Sequence, residues 1–298
     1  MSTVVIPAQR PLLSRTRDVL SLFKLRIGVL IMLTALVGLL ITPGPSPGWA
    51  RVLALALSVL VASASAGAFN QYYERDHDRH MARTRNRAFV TGKLRASPFW
   101  LYVIALMLLA AVGTAAWVFN LSSALFVFLG AFFYGVVYTV WLKRRTWWNI
   151  VIGGLAGSFA VLAGAAAVDP ALGAQPLLLA LVLFLWTPPH FWSLAIAHRS
   201  DYEEARVPML PVVAGDARAA RAVYLATILL VAASLLPMAF GAGLVYLAGA
   251  LAGGVNFIVR ARALSLSPSK PTAMQCFFAS LVQLSLLLIA AIADTLLR

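Results

Sequence analysis

Long apolar runs alternate with short polar connections from residue 27 to the end of the chain. Nine of them approach the roughly 20 residues that a helix needs to cross a bilayer. They cover 27–42, 52–73, 98–119, 121–141, 148–168, 176–197, 222–241, 243–259 and 273–293. Each run is apolar throughout rather than at every second position, so helices are expected and a barrel is not. The first run is short, and only Asn120 separates the third from the fourth. The predicted fold class is all-α: a polytopic membrane protein of about nine transmembrane helices in one bundle.

Charge follows the same alternation. All of the 24 basic residues except Arg51 and Arg298 fall in the N-terminal segment or in every second connection. That is the positive-inside pattern, and it predicts a cytoplasmic N-terminus. It also accounts for the net charge of +14 without a nucleic-acid partner. With 61% hydrophobic and 11% charged residues, the chain is far from soluble domains, which carry about a quarter charged residues. The single cysteine, Cys276, supports neither an internal disulfide nor a cysteine metal cluster. Residues 1–26 lack a short apolar core with a small-residue cleavage site and are expected to be an uncleaved basic cytoplasmic tail. Residues 27–298 are expected to form one transmembrane domain.

No Asp, Glu, Lys or Arg lies inside a predicted span, which argues against an ion-coupled pump. Seven of the ten acids instead sit in two connections on the basic side: Glu74, Asp76 and Asp78, then Asp201, Glu203, Glu204 and Asp216. Asn70, Glu74 and Asp78 are spaced four apart. On a helix continued past the membrane they form one stripe, with Asp76 on another face unless the helix unwinds. Oxygen donors at the membrane boundary suit Mg²⁺, which is often shared with substrate phosphates. A solvated loop whose acids offset its arginines would read the same way. Two acid clusters on one side suggest two metal subsites around one diphosphate, with Asp201 and Glu204 serving the second. Arg83, Arg87, Lys143 and Arg144 suit diphosphate oxygens, and they equally suit a plain topology signal.

Four ordered segments carry a resemblance. NQYYERDHD (70–78) with RHMARTRNR (79–87) resembles the first acidic motif of UbiA-type intramembrane prenyltransferases, most of all their haem-modifying branch. YTVWLKRRTWWNIVIGG (138–154), LWTPPHFWSLA (185–195), and DY (201–202) with VPMLPVV (207–213) are similar to three further segments of that branch. The likeness covers about residues 24 to 260. The chain departs from the pattern at Glu74, where Asp is usual, and at Ala88, where Pro is usual. It departs again at Phe159 to Leu162, where a pair of prolines is typical.

The resemblance implies a helical bundle around a central cavity and a Mg²⁺-dependent transfer. Farnesyl diphosphate and protohaem IX would be the substrates, and haem O and diphosphate the products. Asn70, Glu74, Asp78 and Asp201 would be the catalytic and metal-binding residues, with Glu204. His190, after Pro188 and Pro189 at membrane depth, would contact haem; a hydrogen-bonded interior histidine is the alternative. Prolines there are expected to break the helix and free carbonyls toward the cavity. His77, His80 and His198 are weaker candidates. Tyr72, Tyr73, Tyr138 and Trp186 would offer π faces to a cation-like farnesyl carbon or simply pack. The expected setting is a bacterial inner membrane with the site toward the cytoplasm, in contact with haem A synthase or a terminal oxidase assembly. An aromatic quinone precursor as acceptor, or a non-enzymatic haem or lipid transporter or scaffold, fits the same helices.

Overall fold

The computed structural model describes residues 12–45, 47–81 and 84–298. The first eleven residues of the expected tail, and Arg83, lie outside them. Among the described residues the chain is helical, with no strand. In chain order the main helices are α1 Leu12–Leu22, α2 Leu25–Ile41, α3 Gly48–Glu74, α4 Pro98–Val118 and α5 Leu121–Leu142. They continue with α6 Asn149–Ala166, α7 Ala174–Ala197, α8 Asp216–Phe240, α9 Leu244–Leu266 and α10 Lys270–Leu297. Two short helices, Arg199–Glu204 and Leu210–Ala214, lie between α7 and α8.

Each predicted run falls on one helix, α2 to α10. Among the described residues, eight of these are long and apolar enough to cross a bilayer alone. The exception is α2, whose 17 residues meet that test only with the end of α1, across a 46° bend. Local chemistry explains the breaks between runs. Asn120 ends the long apolar stretch because its side-chain oxygen accepts from Ser123 N (2.9 Å) and caps α5. Its amide nitrogen meanwhile donates to Ala166 O at the end of α6 (2.7 Å). Pro98 opens α4, where a missing N–H costs nothing.

The core holds two large clusters and a smaller third one around Leu22, Ala68 and Phe89. Ala35, Leu39, Leu55, Val59, Ala111, Val127 and Ala160 belong to the first, built by α2 to α6. Val37, Ile41, Val161, Leu183, Leu230, Phe257 and Leu287 belong to the second, built mainly by α7 to α10. Thus α2 and α6 contribute to both and form the seam. They touch backbone to backbone: a Cβ on Gly164 would lie 1.8 Å from Ala35 O, and one on Gly38 2.2 Å from Val161 O. Small residues of this kind let membrane helices approach closely without a hydrophobic drive. Large apolar side chains point outward, and Trp49 and Trp117 are 89% and 90% exposed. These two sit at the ends of α3 and α4 remote from the acidic connection, as interfacial aromatics do.

Candidate functional site

The continuous helical stripe expected from residue 70 to 78 does not form. α3 ends at Glu74, and Asp78 opens a separate 3₁₀ turn, Asp78–His80. The turn is tied by Thr84 Oγ1, which donates to Asp78 O (2.9 Å). The chain doubles back, so Asn70, Glu74 and Asp78 all end up buried, at 3%, 2% and 2% exposure. Asp76 stays exposed, beside Arg75 and Arg79. The unwinding that frees Asp76 is what turns Asp78 inward.

Each of the three oxygen donors faces a cation, for Asn70 and Glu74 from a distant segment and for Asp78 from farther along its own connection. Lys143 Nζ donates to Glu74 Oε2, and Arg144 adds a second contact to Glu74 Oε1 at 3.2 Å. Arg87 Nη1 donates to Asp78 Oδ2 at 2.5 Å. Lys24 Nζ donates to Asn70 Oδ1 (2.6 Å) and to Tyr134 OH (2.9 Å). Asn70 Nδ2 in turn donates to Thr139 Oγ1 (3.0 Å). Buried carboxylates need such partners, because an unpaired charge out of water is costly. Arg144 also contacts His77 Nε2 and lies 5.8 Å from the Tyr73 ring centre. Burial first, then the Arg144 charge, lowers the His77 pKa below its usual range.

Two backbone features build this cluster. Lys24 sits at the α1–α2 bend with φ 47 and ψ 42, a left-handed conformation that disfavours L side chains. Beneath it, Gln71 Nε2 donates to Ser21 O (2.8 Å) and Leu22 O (3.1 Å), satisfying the end of α1. The second half of α5, Phe133–Leu142, is a π-helix, with Lys143 N bonded to Tyr138 O five residues back (2.9 Å). Such turns occur mostly at functional sites. Here the wider turn lets Thr139 Oγ1 reach Tyr134 O (2.8 Å) and brings Thr139 to Asn70 and Tyr134 to Lys24. Lys24, Tyr134 and Thr139 went unread in the sequence. A five-residue spacing gives no signal at the 3.6 period, and Lys24 looked like one topology charge among many.

The second acidic connection is arranged differently. Asp201 lies 3.8 Å from His198 Nδ1 and is partly exposed. Glu204 is exposed, while Arg199 bridges Glu203 (2.7 Å) and Asp216 (3.5 Å). Among the described residues no three His, Cys, Asp or Glu side chains converge as a metal-ligand group. The two connections do share one apolar cluster, through Met81 on the first and Tyr202, Val207 and Met209 on the second. Mg²⁺ is usually held by one or two carboxylates plus substrate phosphates rather than an all-protein cage. The buried oxygens of Asn70, Glu74 and Asp78 fit that donor set, and the cations beside them fit the phosphates.

The helix-breaking role expected of Pro188 and Pro189 is not realised, because α7 runs unbroken through both. The missing N–H groups deprive the carbonyls of Phe184 and Leu185 of their partners, a loss that packed membrane helices tolerate. His190 is 7% exposed and its Nδ1 lies 2.7 Å from Ser280 Oγ. Ala88, at the place of the usual proline, is buried at 3% beside Phe89 in a cluster with Leu22, Ala68 and Ile104.

The sequence matches the UbiA prenyltransferase family over residues 31–282. It is 57% identical over 277 residues to protoheme IX farnesyltransferase 2 of Paramagnetospirillum magneticum, covering 93% of this chain and 96% of that one. It is 41% identical over 277 residues to a protoheme IX farnesyltransferase of Thioalkalivibrio sulfidiphilus, covering 92% and 91%. The fold superposes on a digeranylgeranylglyceryl phosphate synthase with a TM-score of 0.78, at 18% identity, over 96% of this chain and 100% of that one. It also superposes on a UbiA homologue from Archaeoglobus fulgidus bound to DMAPP and Mg²⁺, with a TM-score of 0.69 at 17% identity, over 91% and 99%. At those identities the structures speak for the fold alone. The sequence match, which spans most of the chain, decides the assignment: the chain belongs to the UbiA prenyltransferase family.

Proposed function

We propose that the chain transfers the farnesyl group of farnesyl diphosphate to a vinyl group of protohaem IX, with addition of water, giving haem O and diphosphate. One observation carries the reading: three buried oxygen donors, Asn70, Glu74 and Asp78, are each matched to a basic side chain. The relatives named protoheme IX farnesyltransferase support the choice of donor and acceptor.

Asn70, Glu74 and Asp78 would hold Mg²⁺, with Asp201 and Glu204 as donors from the second connection. Bound there, the metal neutralises charge building on the departing diphosphate. Arg87, Lys143 and Arg144, with Arg83, bind the diphosphate oxygens as charge-assisted donors. Because Arg87, Lys143 and Arg144 are already gathered at the carboxylates, little reorganisation remains for the reaction itself. Tyr72, Tyr73 and Tyr138 border this region, where π faces favour a cation-like carbon. The porphyrin rests against the aromatic seam of Trp186, His190 and Phe277. Water is admitted only after the farnesyl–vinyl bond has formed, since the bundle otherwise excludes it.

In this reading residues 27–298 form one transmembrane domain in a bacterial inner membrane, with the site facing the cytoplasm. Its product, an apolar porphyrin, passes by contact to haem A synthase or a terminal oxidase assembly. The test incubates the full chain in bilayers with protohaem IX, farnesyl diphosphate and Mg²⁺, and reads product mass. The expected product carries one farnesyl and one hydroxyl group, appears only with Mg²⁺, and is lost in Asp78→Ala. Farnesylation of an aromatic quinone precursor but not of haem would correct the acceptor. Failure to release diphosphate with either would sink the enzyme reading.

A further inference from the structure

α6 carries Gly153, Gly154, Gly157 and Gly164, and all but one of them are pressed against a neighbouring helix. A Cβ on Gly153 would lie 2.9 Å from the Tyr138 ring of α5, and one on Gly154 2.8 Å from Thr187 of α7. One on Gly164 would lie 1.8 Å from Ala35 O of α2. Gly157 differs, because a Cβ there would meet nothing within 4 Å. This open space is not on the lipid side. Val161 and Gly164, one and two turns further on, share the face of Gly157, and they abut Gly38 and Ala35 of α2. One turn before it, Gly153 and Gly154 are backed by α5 and α7. The space is therefore bounded by α2, α5 and α7, inside the bundle. Glycine in a helix interior is disfavoured against alanine. Close packing accounts for the other three glycines and leaves Gly157 without a structural reason.

The space runs back to the oxygen donors. On α2 the face that carries Gly38 continues through Thr34 and Ile31 to Ile27, and Ile27 is 55% exposed. α2 has thus parted from α6 there, three residues from Lys24. On α5, Tyr138 stacks on Tyr134 with ring centres 5.8 Å apart, and Tyr134 OH accepts from Lys24 Nζ at 2.9 Å. Depth follows from the helix rise. Asn149 opens α6 at the level of the cations, where its Nδ2 donates to Lys143 O (3.1 Å). Gly157 lies eight residues on, about 12 Å deeper. With carbon–carbon bonds of about 1.5 Å, one extended isoprene unit spans about 5 Å. Two units from the diphosphate stop short of Gly157, and the third lies beside it.

We propose that Gly157 determines the chain length of the prenyl donor, its missing side chain making room for the third isoprene unit. The inference rests on the proposed binding of a prenyl diphosphate at Asn70, Glu74 and Asp78. The space takes the tail because it is continuous with the cations that bind the diphosphate. Its walls, Ile31, Tyr138, Thr187 and Val161, carry no charge, and the Thr187 hydroxyl is spent on Leu183 O (3.0 Å).

The experiment titrates farnesyl and geranyl thiolodiphosphate, whose chains leave slowly, with Mg²⁺ into the full-length chain in nanodiscs, and reads affinity by calorimetry. Gly157→Phe should weaken the farnesyl compound at least about tenfold, as overpacking does, and leave the geranyl compound within about twofold. Gly113 is equally open but lies on the exposed face of α4, and Gly113→Phe should change neither affinity. Should Gly157→Phe fold poorly, Gly157→Leu is read in its place; failure of both to fold would show the space to be closed and overturn the proposal. Equal weakening of the two compounds, or of neither, overturns the chain-length role and leaves the diphosphate site standing. Weaker binding of protohaem with farnesyl affinity intact gives the space to the acceptor and overturns it as well. Failure of wild type to bind either compound overturns the donor reading and the chain-length role together.

Discussion

Replacing Arg87 by Met strands a carboxylate. Asp78 is 2% exposed, and its Oδ2 takes the Arg87 guanidinium at 2.5 Å. Breaking a buried pair by removing one partner costs about 3–5 kcal/mol. The Arg87 side chain is 24% exposed, so water recovers part of that, and about 2–3 kcal/mol is expected. Asp78→Asn is milder, at about 1–2 kcal/mol, because the guanidinium it releases can turn to solvent. In the double variant no charge is left buried, so most of the Arg87→Met loss returns. The cycle should show a coupling of about 3 kcal/mol, well above the roughly 0.5 kcal/mol scatter of independent sites. Equilibrium unfolding in bilayers measures all four proteins. A coupling within that scatter would refute the buried-pair argument. The same proteins separate structure from chemistry: the double variant should be nearly as stable as wild type yet inactive, because the carboxylate charge that would hold the metal is gone.

Gly164→Ala forces a Cβ to 1.8 Å from Ala35 O, so α2 and α6 must part and stability should fall by about 3 kcal/mol. Gly157→Ala on the same helix meets nothing within 4 Å and should be neutral or stabilising, because alanine favours helix; equal melting temperatures for the two would dispose of the close seam. Lys24→Met removes the amine that anchors Asn70 and should lower kcat/KM for farnesyl diphosphate about tenfold, with helix content by circular dichroism unchanged. Wild-type kinetics would remove Lys24 from the site.

The helices were legible because a membrane span is a local property. Twenty apolar residues bury their backbone polar groups within one helix, whatever lies beside it. The oxygen donors Asn70, Glu74 and Asp78 were legible for a similar reason, since their types and spacing lie within nine residues. What held those oxygens was not legible. Lys24 meets Asn70 across 46 positions, and Lys143 meets Glu74 across 69. Local rules misled where tertiary contacts compete with them. The four-residue spacing promised a stripe, but Asp78 gains more from Arg87 and Thr84 in a turn than from prolonging α3. Two prolines promised a break, yet packing carries α7 straight through them. The sequence by itself determined which segments cross the membrane and which side chains bring charge to its edge. Only the tertiary structure decided that each buried oxygen donor would have its own cation, and that His190 would bond to Ser280 from another helix. Both follow from pairing polar groups out of water, where partners are chosen by proximity in space rather than along the chain.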